Sequence, residues 1–242
     1  MNFPLILTAS LLFCARHGRV DGKINLMPLL PLRLGHRGAG ATGNIDENTF
    51  ASFDLALEHG CDGFEFDVRL TACRSPVICH DAKIRGINIS EATVDQLVDI
   101  PLLGAVLERY CRRAFLDIEL KVPGLESAVL NSLHECQMEE EYVVSSFLPE
   151  VVMELKTRSA KVQAGIICDR PRQLACWRET NAEYVIPHHS LVTPKWVQEI
   201  HRAGGKLLTW TVNDRSAMLR LAEWGVDGII SDNTELLVQT LT

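Results

Sequence analysis

The stretch Gly63-Phe64-Glu65-Phe66-Asp67-Val68 alternates apolar and acidic side chains, as a strand with one apolar face does. The apolar side chains would lie on one side of the strand, and Glu65 and Asp67 on the other. Two like charges at this spacing repel each other, and burying them costs free energy unless a cation lies between them. Ca²⁺ and Mg²⁺ prefer oxygen ligands of this kind. The stretch therefore predicts a strand that carries a divalent-cation site, with a solvated acidic strand face as the alternative.

Three further apolar runs, 32–35, 76–79 and 115–120, also end in or alternate with polar residues. Strand alternation places the polar residues of the third run on one face. Polar groups therefore gather where apolar strands stop. Taken singly, each such residue has an ordinary explanation, such as a capping histidine or a surface ion pair. The polar residues at these positions are His36, Arg37, His80, Asp81, Asp117, Glu119 and Lys121.

From residue 32 onward, strand-like runs alternate with helix-like runs, which is the pattern of a parallel sheet with crossover helices. Eight strands with helices between them predict an α/β fold of the (β/α)8 TIM-barrel type. A dinucleotide-binding sheet is disfavoured, because no G-x-G-x-x-G sequence follows the first strand. The predicted strands are 32–36, 63–68, 114–120, 142–146, 162–167, 183–187, 206–212 and 228–231. The predicted helices are 49–59, 101–112, 125–136, 149–158, 171–180, 194–203, 214–224 and 233–241.

The apolar run 76–79 does not fit this alternation. Only residues 69–75 separate it from the second strand, whereas a parallel crossover needs roughly a dozen residues or more. We therefore expect the run to return antiparallel, as the second arm of a hairpin. That geometry would bring His80 back beside Asp67 and leave eight strands to close the barrel.

The composition of the 242 residues, 47% hydrophobic and 23% charged, is that of one globular α/β domain. A net charge of −7 without a basic stripe argues against nucleic acid as a partner. The eight cysteines form no C-x-x-C pair, and several lie in apolar runs. We therefore expect reduced thiols and a cytoplasmic protein.

The N-terminus is interpreted as an extension, residues 1–26, that precedes a barrel domain of residues 27–242. The apolar run 3–15 has the length of a signal-peptide core and is too short to cross a bilayer as a helix. It lacks a basic start, and Met27 leads directly into the first strand, so translation from Met27 is one alternative. We expect no stable membrane span. Export is the alternative to a cytoplasmic location if residues 1–15 act as a signal sequence.

Seven short blocks, which cover the chain from about residue 34 to its end, occur in the order and at the spacing of one family. The blocks are His36-Arg37-Gly38, Glu47-Asn48-Thr49, Glu65-x-Asp67, His80-Asp81, Glu119-x-Lys121, Trp210-Thr211-Val212-Asn213 and Gly228-Ile229-Ile230-Ser231-Asp232. They resemble the glycerophosphodiester phosphodiesterase family. The resemblance implies a (β/α)8 barrel, in agreement with the strand count. It also implies metal-dependent hydrolysis of a small glycerophosphodiester to sn-glycerol 3-phosphate and an alcohol.

The same resemblance implies roles for individual residues. Glu65, Asp67 and Glu119 would hold one divalent cation, Mg²⁺ or Ca²⁺. A phosphodiester is anionic, so its hydrolysis needs neutralisation of charge on the phosphate oxygens and proton carriers that work near neutral pH. The residues implied for these tasks are His36 and His80 as acid and base, Arg37 and Lys121 for phosphate, Trp210 for the glycerol end, and Glu47 and Asn48 as supports.

Three features depart from the family pattern or have a second explanation. Asp46 stands where the family has proline, which adds a carboxylate near the site. Thr49 opens an apolar helical pattern, so either Asn48 or Thr49 is also a helix N-cap. Only residues 82–93 separate His80-Asp81 from the next apolar segment, so we expect a small or absent cap over the barrel.

Two other functions are compatible with the same residues. A lysophospholipase D or sphingomyelinase D-like enzyme would keep the barrel and the metal but would need an apolar rim for acyl chains. A non-catalytic phosphate-binding barrel is less compatible, because such a protein is expected to have lost a histidine or a metal carboxylate. The sequence does not determine the oligomeric state.

Overall fold

The computed structural model describes residues 30–40, 45–138 and 141–242. The predicted N-terminal extension, residues 1–26, lies outside the described residues. The strands are β1 (Leu32–Gly35), β2 (Gly63–Leu70), β3 (Pro76–Ile78), β4 (Lys83–Ile84), β5 (Ile87–Asn88), β6 (Phe115–Leu120), β7 (Tyr142–Ser146), β8 (Ala164–Cys168), β9 (Tyr184–Pro187), β10 (Lys206–Thr209) and β11 (Gly228–Ser231). The α-helices are α1 (Phe50–Glu58), α2 (Leu103–Tyr110), α3 (Glu126–Glu135), α4 (Pro149–Arg158), α5 (Cys176–Thr180), α6 (Pro194–Arg202), α7 (Arg215–Trp224) and α8 (Thr234–Thr240).

Eight strands of the described chain form a closed parallel barrel in the order β1-β2-β6-β7-β8-β9-β10-β11. β1 closes it by pairing in parallel with both β2 and β11. A helix follows each barrel strand except where the β3–β5 segment intervenes before α2. The predicted (β/α)8 fold is therefore confirmed, and the carboxyl ends of all eight strands meet at one face of the barrel.

The run after β2 forms the predicted hairpin. β3 pairs antiparallel with β2, with Val68 opposite Ile78, and the Cys79 N–H donates to the Asp67 carbonyl over 2.9 Å. Because β3 runs back along β2, His80 lies beside the Phe66–Asp67 part of β2. The small β4–β5 hairpin and two short 3-10 turns (Ile89–Glu91 and Val94–Gln96) follow it, so the cap is small.

Helix starts are fixed by groups that satisfy the first free backbone N–H groups. The side chains of Thr49, Thr193, Asp214 and Asn233 each accept a backbone N–H in the first turn of α1, α6, α7 and α8. α4 instead begins with Pro149. Because the helix starts are fixed, the loops that leave the carboxyl ends of the strands have defined lengths.

The segment 171–180 differs from the prediction of a single helix. A 3-10 turn (Pro171–Ala175) precedes α5, which ends at Asn181 with a left-handed φ of 53°. The side-chain carbonyl of Gln173 accepts the backbone N–H groups of Asp169 and Arg170 over 3.1 and 2.9 Å. This local bonding stabilises the tight turn at the position where an α-helix was expected to begin.

The barrel strands pack between two hydrophobic layers, one on each face of the sheet. The outer layer lies between strands and helices, and the inner one fills the barrel. The inner faces of β2 and β6 are not entirely apolar, because the carboxyl halves of these two strands carry buried acidic residues. The inner apolar layer is formed by Leu34, Phe115, Val143, Ile167, Tyr184, Ile186, Leu208 and Ile230.

Within the described ranges, no helix combines the length and the apolar character needed to cross a membrane.

Candidate active site

Three acidic side chains meet at the carboxyl end of the barrel. Glu65 and Asp67 lie on β2 and Glu119 on the neighbouring strand β6, with Asp67 and Glu119 paired in register. Each offers a carboxylate oxygen within 4.8 Å of the others, and their exposed fractions are 4%, 1% and 7%. The structure thus brings together the three residues that the sequence suggested as metal ligands.

The electrostatics of this group fit a bound divalent cation. Burial raises the pKa of Glu65 well above its usual range, and the neighbouring charges of Asp67 and Glu119 raise it further. Burial likewise raises the pKa of Glu119, although Lys121 opposes this. Within the described part of the chain, the buried Oε1 atom of Glu65 has no hydrogen-bond partner. An ion among these oxygens would supply the missing partner and remove the repulsion, so the three residues fit a hard divalent cation.

Two basic side chains already share the carboxylate charge. Lys121 Nζ lies 2.7 Å from Glu119 Oε1 and 3.2 Å from Asp67 Oδ1. Arg37 Nη1 donates to Glu47 Oε1 over 2.8 Å, and Arg37 Nε lies 3.4 Å from Asp67 Oδ2 without forming a hydrogen bond. Burial lowers the pKa of each basic group, but the carboxylates outweigh it, so both pKa values are raised. Both groups therefore carry a full charge beside the acidic cluster.

Asn48 clamps the backbone and the side chain of Asp67. Its Nδ2 donates to Asp67 Oδ2 over 2.8 Å, and its Oδ1 accepts the Asp67 N–H over 3.2 Å. Asn48 has a φ of 58°, a conformation that asparagine adopts more readily than most residues. The N-cap of α1 is Thr49, whose Oγ1 accepts the Ser52 N–H over 3.2 Å. Because Thr49 caps the helix, both polar atoms of the Asn48 side chain are available to bind Asp67.

Each of the two histidines is oriented by an aspartate. His36 Nδ1 lies 2.6 Å from Asp232 Oδ1, and His36 Nε2 lies 3.8 Å from Glu65 Oε2. His80 Nδ1 lies 2.8 Å from Asp81 Oδ1. Both histidines line the same cavity as the carboxylates. An imidazole at each of two positions around a cation site suits proton exchange with a bound ligand.

This cavity has a volume of about 150 Å³ and two chemically different halves. One half is charged, and the other is apolar and lies toward β7–β11. Trp210 donates from Nε1 to the Ile186 carbonyl over 3.0 Å and meets Phe147 edge to face at 5.5 Å, which fixes it in the apolar half. The lining residues are His36, Arg37, Glu65, His80, Asp117, Glu119, Lys121, Phe147, Ile167, Ile186, Trp210 and Ile230.

Three features of the site were not identified as functional from the sequence. Asp117 lines the cavity, and Ser145 Oγ donates to its Oδ1 over 2.5 Å. Its buried Oδ2 has no hydrogen-bond partner in the residues that the structure describes. Burial raises the pKa of Asp117 to about 7, although the Ser145 hydrogen bond lowers it. Phe147 lines the cavity next to Trp210. Asp232 follows β11. Burial raises its pKa, but hydrogen bonds from His36 and Asn213 lower it by more, so the pKa of Asp232 is lowered overall.

Strand alternation had already placed Asp117 on the same face as Glu119, so a signal for it was present. Asp46, the departure from the family pattern, is exposed on the loop before α1. His188 contacts Trp210 edge to face at 5.4 Å but does not line the cavity.

Comparison with known proteins connects this cavity to one enzyme family. The sequence matches the glycerophosphoryl diester phosphodiesterase family over residues 36–99 and 87–236, a range that contains the carboxylates, both histidines and both basic residues. The chain belongs to this family. Its activity class is phosphoric diester hydrolysis with glycerophosphodiesters as substrates, and the resemblance seen in the sequence is confirmed.

Relatives in this family match over nearly their full length. A glycerophosphodiester phosphodiesterase of Caldanaerobacter subterraneus subsp. tengcongensis is 30% identical over 237 residues, which cover 86% of this chain and 96% of the relative. A phosphodiesterase of Oleispira antarctica, solved in complex with the product sn-glycerol-3-phosphate, has a TM-score of 0.76 at 25% identity. The match covers 87% of this chain and 96% of the Oleispira antarctica chain. The structure of a glycerophosphodiester phosphodiesterase of Thermotoga maritima has a TM-score of 0.74 at 25% identity. The match covers 86% of this chain and 97% of the Thermotoga maritima chain. The family fold is thus the fold of this chain.

Proposed function

We propose that this phosphodiesterase converts a glycerophosphodiester to sn-glycerol 3-phosphate and an alcohol with the help of one divalent cation, Mg²⁺ or Ca²⁺. The observation that carries the proposal is one cavity in which buried carboxylates, two oriented histidines and two basic groups converge. The Oleispira antarctica relative, solved with sn-glycerol-3-phosphate, supports the choice of product. The alcohol would be a small head group such as choline or ethanolamine.

Glu65, Asp67 and Glu119 would hold the cation, which neutralises charge on the phosphate oxygens when bound. Arg37 and Lys121 would add two fixed positive charges, the first as a planar fork and the second as a point charge. Both already lie within 3.4 Å of an Asp67 carboxylate oxygen. They can therefore shift from the carboxylates toward a bound phosphate without travelling far.

His36 and His80 would exchange the two protons that the reaction requires. One ring would take a proton from the attacking hydroxyl group, and the other would give a proton to the departing alkoxide. The Nδ1 atom of each ring is hydrogen-bonded to an aspartate, which leaves Nε2 as the nitrogen that would exchange a proton with the substrate. Over the whole hydrolysis, the oxygen of water forms a bond to phosphorus, and the bond between phosphorus and the alcohol oxygen breaks. The alcohol leaves with the donated proton, and sn-glycerol 3-phosphate remains.

Other residues would support or select the substrate. Asn48 would keep Asp67 in place, and Glu47 would hold Arg37 by their ion pair of 2.8 Å. Trp210 would form an apolar wall for the carbon atoms of the glycerol end. The seven described cysteines are free thiols, which supports the cytoplasmic location that we also propose.

A paired substrate assay tests the proposal against the lipid-hydrolysing alternative. With Mg²⁺, we expect the protein to hydrolyse glycerophosphocholine much faster than lysophosphatidylcholine, because a cavity of about 150 Å³ suits a small diester. A chelator should abolish the activity, and Mg²⁺ or Ca²⁺ should restore it. Faster cleavage of lysophosphatidylcholine would favour the lysophospholipase D alternative. Full activity in chelator would contradict the metal.

A further inference from the structure

His36 is held by residues that arrive from the opposite end of the chain. Asp232, which follows β11, places Oδ1 2.6 Å from His36 Nδ1. The two residues are 196 positions apart in sequence, and they meet because β1 and β11 are neighbours in the closed barrel. The contact orients the ring so that Nε2 lies on the side of Glu65, 3.8 Å from its Oε2.

Asn213 braces Asp232 from the loop after β10. Its Nδ2 donates to Asp232 Oδ2 over 2.7 Å, and its Oδ1 accepts the Asp232 N–H over 2.9 Å. The same Oδ1 also accepts from Ser231 Oγ over 2.9 Å. Because the Asp232 side chain is 46% exposed, it would rotate toward solvent if only His36 held it. With Asn213 in place, both carboxylate oxygens have a fixed partner.

The second histidine lacks such a brace. His80 bonds to Asp81, its immediate neighbour in the chain, over 2.8 Å, and the Asp81 side chain is 76% exposed. No other side chain of the described residues is seen to hold the Asp81 carboxylate. The two histidines thus have the same kind of aspartate partner but differ in how firmly that partner is fixed.

We infer that Asp232, held by Asn213, is a positioning residue that fixes His36 in the tautomer protonated at Nδ1 and keeps Nε2 as its proton-exchanging atom. A carboxylate accepts but does not donate, so its partner nitrogen carries the proton in the neutral ring. Nε2 can then accept a proton without any change at Nδ1, and the negative Asp232 stabilises the imidazolium that results. The inference rests on the proposed role of His36.

The test compares Asp232→Asn with the matched control Asp81→Asn. In Asp232→Asn, the new amide can donate to Nδ1 and so favours the opposite tautomer. We expect kcat for glycerophosphocholine to fall by about 10²–10⁴-fold with KM changed only a few-fold, as is typical when acid–base catalysis is impaired. Asp81→Asn should lower kcat by less than about tenfold, because the Asp81 carboxylate is exposed and contributes little to holding His80.

The ring tautomer supplies a readout that a purely structural role would not change. In the ¹⁵N NMR spectrum of the Mg²⁺-loaded protein, at a pH where His36 is neutral, wild-type His36 should show a protonated Nδ1 and a bare Nε2. Asp232→Asn should shift the proton toward Nε2 with little change in melting temperature. Asn213→Ala, which keeps the Asp232 charge, should give an intermediate loss of kcat.

Two results would overturn the inference: a kcat of Asp232→Asn within tenfold of wild type, or an unchanged His36 tautomer in that variant. A failure of the proposed function looks different. In that case wild type itself would not hydrolyse the substrate, or His36→Ala would be fully active, while the tautomer measurement would still report whether Asp232 controls the ring.

Discussion

At the scale of single residues, Asp117 shows what the burial of a carboxylate costs. Its Oδ2 has no hydrogen-bond partner among the described residues, and burial raises its pKa from 3.8 to about 7. The folded protein therefore binds this proton more tightly than the unfolded chain does. By linkage, its contribution to stability is complete below pH 3.8 and is lost as the pH rises toward about 7.

Asp117→Asn should remove this pH dependence. In chelator near pH 7.5, we expect the variant to unfold at a higher temperature than wild type, because it buries no charge. The difference should shrink as the pH falls to about 4, where wild-type Asp117 is protonated. Thermal unfolding at several pH values measures it, with the exposed Asp46→Asn as the control. An equal difference at all pH values would show that Asp117 does not titrate in this range.

Single residues also show where the sequence is informative. Strand alternation was sufficient to place Glu65 with Asp67 and Glu119 with Lys121, because partners two residues apart share a face. The bond between His36 and Asp232 could not be predicted from the sequence in this way. The residues are 196 positions apart, and only the barrel's closure makes them neighbours. The Asp232 block was part of the family resemblance, but its contact with His36 required the structure.

At the scale of elements, the start of β2 depends on a close approach between strands. A Cβ atom added to Gly63 would lie 1.9 Å from the Phe115 carbonyl oxygen on β6. β2 and β6 carry the three carboxylates, so any separation of their backbones would also move the proposed ligands. In contrast, a Cβ atom added to Gly104, in the first turn of α2, meets nothing within 4 Å.

Gly63→Ala should therefore destabilise the protein by about 1–3 kcal/mol or more, as overpacked positions do. Gly104→Ala should be neutral or stabilise it by up to about 1 kcal/mol, because alanine is the better helix former. Chemical denaturation of both variants measures the free energy of unfolding. If the two alanine variants were equally stable, the close approach of β2 and β6 would not limit the barrel.

Element boundaries were predicted less well than element types. The expected strand 206–212 ends at Thr209, because Trp210 turns its ring into the cavity and donates to the Ile186 carbonyl. The expected helix 171–180 begins as a 3-10 turn, because the Gln173 side chain bonds to the backbone before it. Both deviations arise from side-chain hydrogen bonds that hydrophobic periodicity does not encode. The hairpin after β2 was predictable, since a seven-residue connection, 69–75, is too short for a parallel crossover.

At the scale of the whole molecule, the barrel joins distant parts of the chain into one cavity, so cation binding should stabilise the entire fold. At a free Mg²⁺ or Ca²⁺ concentration of 100 times Kd, we expect a gain of about 2.7 kcal/mol in unfolding free energy. Calorimetry with and without chelator measures this gain. Glu119→Gln should lose most of it, whereas Glu154→Gln, on the exposed side of α4, should keep it. An equal gain in both variants would place the cation elsewhere.

The central claim, hydrolysis of a glycerophosphodiester by His36 and His80, is tested most directly by ³¹P NMR of glycerophosphocholine incubated with the Mg²⁺-loaded protein. We expect the sn-glycerol 3-phosphate signal to grow with wild type and with His134→Ala, a substitution of an exposed histidine on α3. His36→Ala and His80→Ala should each remain folded and lose most of the turnover, by about 10²-fold or more. Undiminished product formation in either folded variant would contradict the account.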